Sequence, residues 1–246
     1  MEMAGRRETP DLSSAGRDLL LLAVPDGALA AVAAELARRP QAKVALHTSG
    51  SLSAEALAPL RAAGSAVGSL HPLKAFPHPL PDLAQARGVF FAVDGDHEAR
   101  DLAMRLAAAW GAEAGEVPAQ ARTLYHFAAS LAAGGVVTLL SLVEDLARRL
   151  GLPDAVVKGY LELTRGAVAA AADARDEGHS VATALTGPAA RGDRETIERQ
   201  LAELGHLAPE KLPLIRALFR ETLRQKEREG GLSPEHRKLL ELLESD

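Results

Sequence analysis

Cysteine is absent from the 246 residues, which excludes disulfides, thiolate metal sites and cysteine nucleophiles. A reducing cytoplasm fits that absence. Basic runs are also missing: 28 Lys and Arg against 33 Asp and Glu leave a net charge of −5, with no polycationic stripe to hold nucleic acid. The opening residues, Met1 to Asp11, hold no apolar core before a small-residue cleavage site, so no secretory signal is expected. The longest weakly polar stretch, Phe127 to Val143, is shorter than the roughly 20 residues of a spanning helix. It reads as a buried helix, and no membrane role is expected. Finally, no G-x-G-x-x-G turn occurs. The usual strand-turn-helix whose N-terminal amides anchor a dinucleotide's diphosphate is therefore not encoded, either because the chain starts downstream of it or because the unit has been dispensed with.

What is present is 47% apolar, ample for a buried core. Short continuous apolar runs, as in strands buried on both faces of a parallel sheet, alternate with helical segments. Leu19 to Val24 is the first run; Pro25 stops it and Asp26 is placed to cap a helix reaching about Arg39. Val44 to His47, the loop Thr48-Ser49-Gly50-Ser51 and a helix from Ser53 form a second unit. Ala66 to Leu70 and Gly88 to Val93 are further strands, and Asp96 is placed to cap a helix ending near Trp110. After Val117-Pro118 every periodic segment is helical: Ala119 to Leu150, Pro153 to about Glu177, Asp193 to Leu204, Pro209 to Glu229 and Ser233 to Leu243. The pattern predicts an α/β fold: a truncated, Rossmann-like parallel sheet over 1–117, then an all-α domain over 118–246.

Some chemistry follows from spacing. Arg122, His126 and Ser130 recur every four residues as a polar spine on an apolar helix, with Tyr125 adjacent, so something polar must meet them. Gly134-Gly135 in mid-helix costs roughly 1 kcal/mol per glycine relative to alanine, which suggests close approach of a backbone or ligand. Thr186-Gly187-Pro188 reads as a turn and Asp193 as a helix cap, while Arg191 has no such local duty.

Four stretches together carry a resemblance: Leu21-Leu22-Ala23-Val24-Pro25-Asp26; His47-Thr48-Ser49-Gly50; Gly68-Ser69-Leu70-His71-Pro72-Leu73; and Leu185 through Asp193. They resemble the Rossmann-like oxidoreductases with a C-terminal domain of unknown function, a family similar to ketopantoate reductase, pyrroline-5-carboxylate reductase and 6-phosphogluconate dehydrogenase. The resemblance implies an NADP or NAD cofactor, a small-molecule substrate and a homodimer joined through the helical domain. It implies that Val24, Pro25, Asp26 and Ser49 lie beside the cofactor, and that Arg6 and Arg7 meet a ribose 2′-phosphate. A helix cap at Asp26 is compatible with the same role.

It further implies that His71 faces a substrate carbonyl and Lys74 a carboxylate, although a packed histidine and a solvated lysine are the ordinary alternatives. The family's lysine falls at Arg122 and its serine-asparagine pair at Ala133-Gly134. An arginine is a poor proton donor, so Arg122 would grip a carboxylate and leave His126 or Tyr125 as the acid. Alternatively His126 and Ser130 only satisfy helix-helix hydrogen bonds. Arg191 is implied to bind substrate, at the cleft of this chain or of a partner subunit. Three functions stay open: a reductase of a small keto acid or imine, a catalytically silent dimeric homologue, and a cofactor-free lyase or isomerase using His47 or His71.

Overall fold

The computed structural model describes residues 18–39, 41–76 and 86–244. By compactness the chain forms two units, residues 1–136 and 137–246. That division falls later than Pro118, because the first helix after it is fastened to the sheet.

In the first unit the strands are β1 (Leu19–Leu22), β2 (Val44–His47), β3 (Ala66–Pro72), β4 (Phe90–Gly95) and β5 (Glu113–Glu116), lying side by side in chain order. Pairings β1–β2, β2–β3 and β4–β5 are parallel, but β3–β4 is antiparallel. The sheet is thus mostly parallel, as expected, with one reversal at β4. The reversal has a packing consequence. Helices α1 (Asp26–Leu36) and α2 (Ala58–Ala62), with the 3-10 turn Ala54–Leu57 leading into α2, cover one face, with Leu29, Ala33, Leu57 and Leu60 packed on Leu22, Ala45 and Val67. Once the strand direction inverts, a right-handed crossover continuing the same way falls on the opposite face. There α3 (His97–Ala109) lays Ala99, Ala103 and Ala107 against Val44, Leu46, Leu70, Phe91 and Val93. Val44 and Leu46 face one side and Ala45 the other, the period of two of a pleated strand. Each buried leucine contributes roughly 1.5–3 kcal/mol.

The β3–β4 reversal depends on two glycines. A Cβ on Gly95, whose φ is +120°, would lie 2.2 Å from the Val67 carbonyl oxygen, and one on Gly68 would lie 2.7 Å from the Asp94 carbonyl oxygen. Strand β5 was not expected from sequence. Its residues Glu-Ala-Gly-Glu put charge at both ends of a four-residue edge strand, the usual disguise of a sheet edge.

Two expected caps also differ. The N-cap of α1 is Pro25, and Asp26 is its first helical residue, bonded instead to Ser51. Asp96 does occupy the N-cap of α3, but its carboxylate accepts from Val67 N at 2.9 Å and Arg61 Nε at 3.1 Å rather than from its own helix.

Past the sheet come α4 (Arg122–Ser130), a π turn (Leu131–Gly135) and α5 (Val136–Arg149). The π turn takes up the two mid-helix glycines, and a Cβ at Gly134 would meet nothing within 4 Å. Ala119–Arg149 is, among the described residues, the one helical stretch long and apolar enough to cross a membrane by length and composition. None of its apolar window is buried inside the chain, which corrects the expected buried helix.

In the second unit α6 (Asp154–Asp176) is followed by α7 (Gly187–Arg191), α8 (Arg194–Leu207), α9 (Leu212–Gly230) and α10 (Pro234–Glu244). Ala189, Ile197, Leu201, Leu223, Leu239 and Leu243 form its core. Gly187–Arg191 is a short helix rather than the expected turn, ended by Gly192 in the left-handed conformation. Asp193 caps α8 as expected, accepting from Thr196 N at 3.1 Å.

Candidate functional site

Strands β1, β2 and β3 end at one edge of the sheet, and β3 runs three residues past His47, the last residue of β2, which is paired with Ser69. That overhang carries His71 out beside the loop Thr48-Ser49-Gly50-Ser51. Helix α4 crosses here and delivers Arg122, Tyr125 and His126.

Arg122 is fully buried. Its guanidinium donates to the Ser49 carbonyl oxygen at 3.1 Å and to Ser69 Oγ, and its Nε lies 3.6 Å from Asp94 Oδ2, too far for a hydrogen bond. Asp94 in turn accepts from Ala54 N at 3.1 Å. One cation therefore ties the β2 loop, β3 and β4 together. Arg122 is thus held in the sheet edge through Nη1 and Nη2, while its buried Nε–H has no hydrogen-bond partner. Ser69 and Asp94 were not singled out from sequence. The signal was the lone arginine on an apolar helix, which demands such partners without saying where along the chain they are.

His47 is also buried and satisfied. Ser49 N donates to its Nδ1 at 3.2 Å, which leaves Nε2–H to donate to the Ser53 carbonyl at 3.1 Å. Burial pushes its pKa down, outweighing the bond to Ser53. Both ring nitrogens are thus engaged, which removes His47 from the lyase or isomerase alternative.

His71, Tyr125 and His126 converge. His71 Nδ1 is 3.0 Å from the Tyr125 hydroxyl, and the His71 ring meets Tyr125 and His126 edge-on, with centroids 5.6 Å and 5.7 Å away. Gly50 is the floor of this cluster: a Cβ there would lie 2.5 Å from His126 Nδ1 and 2.6 Å from His71 Nε2. Burial, then His126 and Arg122, push the His71 pKa down to about 4, so the ring is neutral at pH 7. Burial raises the Tyr125 pKa, with Arg122 opposing. Ser130, the third member of the spine, turns away and donates to the His126 carbonyl at 2.9 Å.

Beside the cluster, Val24 is half-buried against the core while Pro25 and Asp26 are exposed. Asp26 accepts from Ser51 Oγ at 2.6 Å. Partial burial raises its pKa, but the Ser51 and Ser49 hydroxyls and nearby His126 and His47 outweigh that and hold it below the usual value. Ser49 Oγ accepts from Leu52 N at 3.0 Å and Ser51 N at 3.3 Å. Lys74 is exposed just past β3. Arg191, exposed at the end of α7, belongs to the second unit. Arg6 and Arg7 lie outside the described residues.

The first unit is thus a Rossmann-like sheet carrying a phenol-imidazole cluster at its carboxyl edge, followed by a helical unit. Residues 5–72 match the Rossmann-like domain and residues 89–222 match the domain of unknown function DUF2520, and the chain belongs to that family. No curated protein matches it. Among solved structures it is similar to protein TM1727 from Thermotoga maritima, at 25% identity and TM-score 0.72 over 89% of this chain and 81% of that one. It is similar to a Bacteroides fragilis protein named as a candidate NADP oxidoreductase, at 19% identity and TM-score 0.67 over 87% and 79%. An imine reductase from Myxococcus stipitatus in complex with NADP+ shares the fold at 15% identity and TM-score 0.55 over 92% and 80%.

Proposed function

We propose that this chain is a nicotinamide-dependent reductase acting on a small keto acid or imine, with Tyr125 as the proton donor. The observation that carries the reading is the Tyr125 hydroxyl held by His71 at the carboxyl edge of a Rossmann-like sheet, where such folds keep their ligands. The solved relatives named for NADP chemistry support it.

The residues suit the nicotinamide end of a dinucleotide better than its diphosphate. Val24, Pro25, Asp26 and Ser49 line the edge, and an ionised Asp26 suits a hydroxyl donor and repels a phosphate. Arg6 and Arg7 are proposed for a 2′-phosphate, which would select NADP over NAD. When bound, the nicotinamide supplies the hydride. Tyr125 gives its hydroxyl proton to the substrate nitrogen or oxygen as charge develops there. Neutral His71 holds that hydroxyl in place. Lys74 is proposed to hold a substrate carboxylate and Arg191 to bind substrate in this chain or in a partner subunit, while Arg122 keeps the edge in register.

Titration of the purified protein with NADPH and NADH, followed by nicotinamide fluorescence, tests this. Saturable binding and a loss of about 10²-fold or more in turnover for Tyr125→Phe are expected. No saturable binding at millimolar nucleotide sinks the reading. The sequence-wide lack of G-x-G-x-x-G favours a second reading, a catalytically silent dimeric homologue, and that result would support it.

A homodimer is proposed under either reading. Leu161 and Val168 of α6 are 39% and 58% exposed, and with Leu140 of α5 they line an apolar groove of about 480 Å³. Sedimentation velocity should give twice the chain mass of 25.8 kDa, and Val168→Lys should halve it.

A further inference from the structure

His126 Nδ1 is buried and has no hydrogen-bond partner. Leaving such a nitrogen unpaired costs roughly 1–3 kcal/mol, so its surroundings call for an explanation. It faces the space beside Gly50, and His71 Nε2 faces the same space. On the far side of the His71 ring, Nδ1 meets the Tyr125 hydroxyl. A neutral imidazole carries one donor and one acceptor. Two self-consistent arrangements follow. In one, Tyr125 donates to His71 Nδ1 and His71 Nε2–H is directed toward His126 Nδ1. In the other the directions are reversed: His126 Nδ1–H points into the shared space toward His71 Nε2, with no direct hydrogen bond between them, and His71 Nδ1–H points toward the tyrosine oxygen, which frees the hydroxyl proton to point outward.

We propose that Tyr125, His71 and His126 form a proton-return chain in which His71, a positioning residue behind Tyr125, restores the hydroxyl after its proton has gone to substrate. The substrate end of this proposal rests on the reductase reading; the chain itself is a property of the protein. The protons balance. The Tyr125 O–H bond breaks toward substrate, the His71 Nδ1 proton moves to the phenolate, His71 Nε2 takes a proton from a water in the space beside Gly50, that water takes the proton of His126 Nδ1, and His126 takes one from solvent at Nε2. No electrons move along the chain, and both histidines end neutral as the opposite tautomers. A neutral His71 is what this alternation requires. Burial, His126 and Arg122 keep it so, with Asp26 and His47 the other ionisable groups acting on the ring. Glycine at position 50 keeps the space between the rings open.

The test uses the full chain without nucleotide. Of the two tyrosines, Tyr160→Phe leaves Tyr125 alone, and fluorotyrosine incorporation brings its ionisation into a range where the fold persists. With ¹⁵N-histidine, the His71 Nδ1 resonance, assigned by loss in His71→Gln, should move from pyridine-like to pyrrole-like as Tyr125 ionises. His126 should shift with the same midpoint, and Tyr125→Phe should abolish both changes. If His71→Gln fails to fold, assignment through Tyr125→Phe and His126→Gln serves. A His71 tautomer that stays constant through the Tyr125 absorbance titration overturns the chain and leaves an ordinary structural hydrogen bond. Failure of NADPH to bind would sink the reductase reading and leave this readout intact; a constant tautomer alongside saturable NADPH binding would sink the chain alone.

Discussion

Replacing Arg122 by Met keeps the aliphatic stem and deletes the charge, and it should be among the most damaging single changes in the first unit. The arginine side chain is 1% exposed and donates to the Ser49 carbonyl and Ser69 Oγ, so its loss orphans both acceptors in a place water does not reach. It also strips Asp94 of its nearest cation. Breaking a buried ion pair from one side costs about 3–5 kcal/mol. Asp94 is 13% exposed and keeps its bond from Ala54 N, which argues for the lower end of that range. A loss of about 3 kcal/mol corresponds to a fall in Tm of roughly 10 °C for a unit of this size.

The assay is built in. Trp110 is the single tryptophan, and its ring packs on Phe91 with centroids 5.6 Å apart in the core of this unit, so urea unfolding followed by its fluorescence reports on the right cooperative block. Arg122→Met with Asp94→Asn should lose less than the sum of the single changes, because the second substitution removes the charge the first abandoned. An Arg122→Met loss under about 0.5 kcal/mol, the range of an ordinary surface substitution, would refute the assignment of Arg122 as the tie of the sheet edge.

Gly50→Ala would drive a methyl into His126 Nδ1 and His71 Nε2, so one ring must move; a cost of about 1–3 kcal/mol is expected, with the His71–Tyr125 hydrogen bond lost from the ¹⁵N spectrum. An intact bond in that variant would count against the packing described here. Gly95→Ala should be at least as costly, since it combines a left-handed φ with a contact to the Val67 carbonyl oxygen, and a cooperative unfolding transition unchanged in midpoint would contradict the β3–β4 register. Acid should weaken the first unit through His71. Its folded pKa of about 4 lies below the ordinary 6.5, so the unfolded chain takes up the proton first. The stability involved is present above pH 6.5 and is lost as pH falls toward 4, by up to roughly 3 kcal/mol. His47, shifted the same way, acts in the same sense. His71→Asn should flatten the slope of urea midpoint against pH between 6.5 and 4, and slopes identical to those of the unaltered chain would exclude His71 as a contributor.

The clearest sequence signals were those of short, largely apolar runs. Leu19 to Leu22, Val44 to His47 and Ala66 to Leu70 are continuous apolar runs that no amphipathic helix would carry, and each forms a strand. β5 gave no such signal, because an edge strand needs little apolar surface and these four residues carry two glutamates. Nor could a local pattern show that β4 runs against β3, since direction is set by how the chain returns across the sheet. Asp26 and Asp96 stand where caps belong, but a carboxylate goes to the strongest donor within reach, and for both that donor came from a distant segment.

The sequence alone determined the layout, strands first and helices after, because periodicity is a local consequence of which face meets the core. It also required that a polar spine on α4 find polar partners, since a buried guanidinium cannot go unpaired. Which partners these are was decided only by the tertiary structure. Ser49, Ser69 and Asp94 surround Arg122, and His71 meets Tyr125 and His126 over Gly50, only because the sheet stacks strand ends that are remote along the chain. That neighbourhood ties Arg122 into the sheet edge and makes the phenol and two imidazoles one cluster.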